Sequence, residues 1–117
     1  MKIAVFIRDK KAEEVYNTIT SVPEGTAAVL SGDSWIDISN KDVDKGQAIK
    51  VVLDKFGIDP SEAMAFGDYL NDIAMMQVCG ESYAMANALP QVKAAAKSVT
   101  EFGNDDDGVM RTLKKIF

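Results

Sequence analysis

Histidine is absent from the 117 residues, which excludes Ser–His and Cys–His nucleophile pairs and histidine metal sites. The one cysteine, Cys79, cannot close an internal disulfide and suits a reducing, cytoplasmic setting. Basic residues are the minority, 13 against 18 acidic, for a net charge of −5 and a pI near 4.6. No basic field is therefore available to hold a phosphate backbone, and nucleic acid is excluded as a general partner. Long apolar runs are missing as well. Ile3-Ala4-Val5-Phe6-Ile7, at the N-terminus, is too short for a membrane span or a signal peptide. There is no internal repeat and no low-complexity segment. What remains is ordinary globular material, 47% hydrophobic and 26% charged, with the length of one domain or of a piece of something larger.

The hydrophobic pattern supplies the elements. Lys2 to Arg8 reads as a strand. Asp9 is placed to cap a helix carrying Ala12, Val15, Tyr16 and Ile19 at helical spacing, which Pro23-Glu24-Gly25 ends. Thr26–Leu30 and Trp35–Ser39 flank the turn-forming Ser31-Gly32-Asp33-Ser34 and read as an antiparallel pair. The first third is thus β-α-β-β. The rhythm then changes. Ile49, Val52, Leu53 and Phe56 make a helical stripe, with Gly57 where a C-terminal glycine stop belongs. Ala63 to Phe66 reads as a strand buried on both faces, followed by a brief helix over Asp72 to Val78. Ser82 to Ala86 gives another strand, Pro90 opens a helix through about Ala96, and Ser98 to Thr100 adds a last strand. Val109, Leu113 and Ile116 space a terminal helix whose dipole suits Lys114 and Lys115. Strands alternating with helices predict an α/β fold with a parallel sheet, and a boundary between the two units falls at Ser39 to Asp44.

The sharpest chemical signal is Phe66-Gly67-Asp68-Tyr69-Leu70-Asn71-Asp72, directly after a buried strand. Ligand sites of open α/β sheets lie at the carboxyl ends of strands. Carboxylates four residues apart, Asp68 and Asp72, can converge on one hard cation such as Mg²⁺. The same residues also suit a plain turn and helix cap, and from spacing alone both readings stand. Lys45, ahead of the Ile49–Phe56 helix, can reach a phosphate as a mobile point charge, or be one more surface lysine. Met75-Met76 and Cys79 read as core packing. Asp105-Asp106-Asp107 reads as an acidic run at a helix N-terminus rather than a metal site.

An ordered series of segments closely resembles the C-terminal half of Cof-type phosphatases of the haloacid dehalogenase (HAD) superfamily. It comprises Asp44-Lys45-Gly46-Gln47-Ala48, Ala65 to Asp72, Met75-Met76, Tyr83 to Ala88, Val92-Lys93 and Asp107-Gly108-Val109. The resemblance covers about Trp35 to Phe117. It implies a partial HAD-type, Rossmann-like parallel sheet over 41–117, preceded over 1–40 by a β-α-β-β remnant of an α/β cap. It implies hydrolysis of small phosphorylated metabolites through an aspartyl-phosphate, with Mg²⁺ as cofactor. By position, Lys45 matches the lysine that holds the phosphoryl group. Asp68 matches the acidic metal ligand, and Asn71 a phosphate-contacting residue. Asp72 matches the second acidic residue, which serves the metal site directly, through water or through Lys45. The related P-type ATPase core shares the Gly-Asp-x-x-Asn-Asp signature, but the cap-like segment before Lys45 argues against it.

The Asp-x-Asp-Gly-Thr segment that carries the family's nucleophile and general acid does not occur in these 117 residues. Asp42-Val43-Asp44-Lys45-Gly46 is a decoy, because no buried apolar strand leads into it and Lys45 stands where a glycine is required. The resemblance therefore implies about the last two fifths of an enzyme, entered at Met1 within the cap, inactive alone and binding Mg²⁺ weakly. Without the strand that bears the nucleophile, the neighbouring sheet edge is exposed. The expected partners are further copies of the chain or a complementary N-terminal half, with no membrane contact. The alternative is a non-catalytic oligomerisation or interaction module derived from a HAD phosphatase.

Overall fold

The computed structural model describes residues 2–117; Met1, and with it the placing of the chain's start within a cap, lies outside them. The chain divides into two compact units, one ending at Asp44 and one running Lys45–Phe117.

The first unit is an antiparallel sheet in the order β1-β3-β2, made of β1 (Lys2–Phe6), β2 (Thr26–Gly32) and β3 (Trp35–Asn40). Helix α1 (Ala12–Tyr16) packs on β2 and β3, where Ala12, Leu30 and Ile36 are buried. Two expectations change here. Asp9 does not cap α1. Asp9 and Lys10 both have φ near +60°, so the chain turns left-handed through them and the helix starts only after Lys11. The helix also ends before Ile19. Past Tyr16 the Thr18 hydroxyl bonds back to the Val15 carbonyl at 2.7 Å, a local bond that competes with further helix. The hairpin turn contracts to Asp33-Ser34, because β2 continues through an irregularity between Leu30 and Gly32 that lets Gly32 pair with Trp35.

In the second unit, β4 (Met64–Gly67), β5 (Glu81–Ala84) and β6 (Ser98–Val99) form a parallel sheet in that order. Helical crossovers join them, as parallel pairing requires. They are α3 (Ile73–Val78), entered through a 3-10 turn at Leu70–Asp72, and α4 (Pro90–Ala95). The core gathers Ala65, Met76, Cys79, Ala84 and Val92. Met76 is 1% exposed, as expected for a packing methionine. Helix α5 (Gly108–Ile116) closes the chain.

Helix α2 (Lys45–Phe56) ends at Gly57, whose φ of +64° is the left-handed stop that glycine accommodates. Its buried stripe is not the expected one. Gly46 and Leu53 are buried and Ile49 half-buried, whereas Val52 and Phe56 are 48% and 70% exposed. The cause is the close approach to α3: a side chain at Gly46 would lie 2.6 Å from the Ala74 carbonyl oxygen. That contact turns the 46–49–53 face inward and the Val52–Phe56 edge outward. Strand β4 is likewise not covered on both faces. Ala65 and Gly67 are buried, while Met64 and Phe66 are half-buried, with Phe66 stacked on Tyr83 at 5.2 Å between ring centroids.

Candidate functional site

The site is built on the loops that leave the carboxyl ends of the parallel strands, where peptide groups point outward and side chains from separate loops meet. Strand β4 ends at Gly67, and Asp68 follows at once. The chain then tightens into the Leu70–Asp72 turn, which brings the Asp72 carboxylate back beneath the loop. Gly67 is needed for this return. A Cβ there would stand 2.5 Å from that of Asp72 and 3.0 Å from the Met76 sulfur.

Asp72 is buried, and both of its carboxylate oxygens are engaged. Oδ2 accepts the backbone N–H of Asp68 at 3.0 Å and that of Tyr69 at 3.2 Å. Oδ1 accepts from the Lys45 ammonium, an ion pair between side chains 48% and 8% exposed respectively. Lys45, the first residue of α2, is thereby tied to the β4 loop with its outer half in solvent. The carboxylates of Asp68 and Asp72, expected to share one cation, stand on the same loop, each with a hydrogen-bond partner of its own.

Asp68 is half-buried, and its Oδ2 accepts the side-chain amide of Asn104 at 3.1 Å. Asn71 lies half-buried in the 3-10 turn. Asp42 and Asp44 stand exposed between β3 and α2, past the end of the central strand of the antiparallel sheet and not at the carboxyl end of a strand of the parallel one. Asn104 escaped the sequence reading because it lies 36 residues from Asp68 with no spacing to link them. Its one legible signal is that it follows a parallel strand in a glycine-bounded loop.

Cys79 is 6% exposed, and burial pushes its thiol above the ordinary value, which fits packing rather than nucleophilic work. Among the described residues no group of three or more acidic or cysteine side chains could hold a metal, and no helix is long and apolar enough to cross a membrane. Mg²⁺ takes one or two carboxylates together with waters and phosphate oxygens. The oxygen donor Asp68, with Lys45 fastened to the same loop, fits part of such a site.

The Lys45–Asp72 pair and the acidic loop that follows β4 lie at the carboxyl edge of the parallel sheet. The sequence profile of the haloacid dehalogenase-like hydrolases matches residues 1–113, and the chain belongs to that family. Phosphatase YwpJ of Bacillus subtilis is 34% identical over 93 residues, covering 80% of this chain and 32% of that protein. A haloacid dehalogenase-like hydrolase from Bacteroides thetaiotaomicron superposes over 99% of this chain and 44% of its own, with a TM-score of 0.78 and 29% identity. The HAD subclass IIB sugar phosphatase BT4131 superposes over 99% and 43%, with a TM-score of 0.75 and 30% identity. The chain spans less than half the length of the curated relatives it matches, between 29% and 49%.

Proposed function

We propose that the chain supplies the phosphate- and metal-binding half of a Mg²⁺-dependent phosphohydrolase that acts on small phosphorylated metabolites. The observation that carries this reading is the Lys45–Asp72 pair, braced on the backbone of the loop that presents Asp68. In phosphoryl transfer, catalysis is mostly positioning and charge neutralisation. Lys45, held by one buried carboxylate, keeps a cation at a set place to meet phosphoryl oxygens. Asn71 offers an amide to the same group. Asp68 holds the metal, which when bound would supply further positive charge against the phosphoryl oxygens. Asp72 acts on Lys45 and on the loop, and so serves the chemistry through them.

The nucleophile is not among these residues, and the chain by itself is inactive. Residues 41–117 are the second half of a HAD core and residues 1–40 the end of its cap. The outer edge of β4, which has no strand partner among the described residues, and the exposed Val52–Phe56 edge of α2 support a complementary N-terminal chain or a second copy as partner. The working setting is the cytoplasm, and sugar phosphates, the substrate class of BT4131, are the first compounds to try.

The test is turnover of an aryl phosphate and of sugar phosphates with Mg²⁺, by the chain alone and after addition of a polypeptide carrying the Asp-x-Asp-Gly-Thr half. The expected result is none alone, and turnover on addition that Asp68→Ala abolishes. Turnover by the chain alone that Asp68→Ala removes would point to Asp42 or Asp44 as nucleophile. No turnover in a confirmed complex would favour the interaction-module alternative.

A further inference from the structure

Three loops leave the parallel strands side by side, and hydrogen bonds join them laterally. Asn104, in the loop after β6, donates its backbone N–H to Oδ1 of Asn87, in the loop after β5, at 3.0 Å. The Asn104 side chain donates to Asp68 Oδ2, in the loop after β4, at 3.1 Å. A carboxylate only accepts, so the amide nitrogen of Asn104 must face it. The Asn104 loop is shaped for this reach. A Cβ at Gly103 would lie 2.8 Å from Asn87 Oδ1, and Asp107 turns left-handed at φ 58°. The Gly108 N–H then closes back on the Gly103 carbonyl at 3.0 Å. Asn104 is thus held by its backbone and is free to use its side chain on Asp68.

We propose that Asn104 is a positioning residue for Asp68. By engaging Oδ2 it presents the carboxylate to a cation through Oδ1, and so favours Mg²⁺ over Ca²⁺. Mg²⁺ demands near-octahedral geometry, to which a carboxylate contributes one oxygen, whereas the larger Ca²⁺ accepts both oxygens of one carboxylate. A carboxylate with one oxygen already holding an amide suits the first ion and is a poorer chelator of the second. The inference rests on the reading of Asp68 as the metal carboxylate. It adds a residue, and a basis for choosing between two ions, that this reading does not contain.

The experiment is a ¹⁵N NMR titration of the 117-residue chain with MgCl₂ and with CaCl₂, into the tens of millimolar at constant ionic strength. It follows the Asp68 and Tyr69 backbone amides and the Asn104 side-chain NH₂. Saturable Mg²⁺ shifts are expected at all three in the wild type. In Asn104→Ala the Mg²⁺ dissociation constant should rise about fivefold, the worth of one hydrogen bond. That for Ca²⁺ should stay or fall, so that the preference between the ions shrinks. Asn104→Asp keeps the size and the backbone anchor but turns the donor into an acceptor, and should shift the preference the same way. If both variants keep the wild-type Mg²⁺/Ca²⁺ ratio while Asp68→Asn abolishes binding, Asn104 only ties the loop and the proposal fails alone. If Asp68→Asn leaves the shifts unchanged, or the wild type shows none, the metal reading fails and takes the proposal with it.

Discussion

Replacing Asp72 should unsettle the second unit more than replacing the lysine it holds. Asp72 accepts from three donors, two of them backbone N–H groups of the half-buried Asp68 and Tyr69. Hydrogen bonds to a charged group contribute about 1.5–3 kcal/mol each, toward the lower end or below where water can reach the donor left behind. Lys45 is half exposed, so its pairing is worth only about 0.5–1 kcal/mol. Asp72→Ala should therefore cost about 3 kcal/mol and Lys45→Met about 1 kcal/mol, against a total stability of about 5–15 kcal/mol for a chain of this size. Asp72→Asn, whose carbonyl can still accept the two N–H groups but whose amide meets the ammonium donor to donor, should fall between them. Urea unfolding followed by far-UV circular dichroism measures all three, with an unchanged slope certifying that stability itself moved. In a double-mutant cycle, Asp72→Ala should keep most of its cost in the Lys45→Met background. Equal losses from Asp72→Ala and Lys45→Met would refute the reasoning, because they would mean that the ion pair, and not the backbone brace, is the principal work of Asp72.

Gly67→Ala should cost about 1–3 kcal/mol by forcing a methyl against Asp72 and Met76, and NMR should show the Asp68 and Tyr69 amides shifted; a neutral variant with unmoved amides would refute the close-approach argument. Cys79 should resist iodoacetamide in the folded chain, since its buried thiol holds its proton above the ordinary pKa of 9.0. Above that pH the unfolded chain gives up the proton more readily, so stability should fall as pH rises through this range, and urea midpoints in Cys79→Ala should lose that alkaline decline. Light scattering at micromolar concentration should show self-association, which Phe56→Ser weakens with little loss of stability, because Phe56 is 70% exposed; a clean monomer would count against the exposed faces as docking surfaces.

The alternation of strands and helices, the Gly57 stop, the opening of α4 at Pro90 and the packing role of Met76 were legible in the chain, because each depends on neighbours within one or two turns. The turn chemistry of Gly67 to Asp72 was legible for the same reason. Asp9 misled because its left-handed φ is set by where the hairpin holds the chain, with Ala12 N–H bonded to the Asp33 carbonyl, and not by its liking for caps. Val52 and Phe56 misled because apolar spacing names a stripe about a third of the helix wide, and the contact of Gly46 with Ala74 selects which edge of it is covered. The site divides along the same line. Lys45, Asp68, Asn71 and Asp72 can be picked out as residue types in order along the chain. Which oxygen each donor takes depends on groups 27 and 36 residues apart, brought together when parallel strands align their loops. A one-dimensional pattern carries short-range preference faithfully, whereas the choice among distant partners is made by packing, and packing placed Lys45 on Asp72 and Asn104 on Asp68.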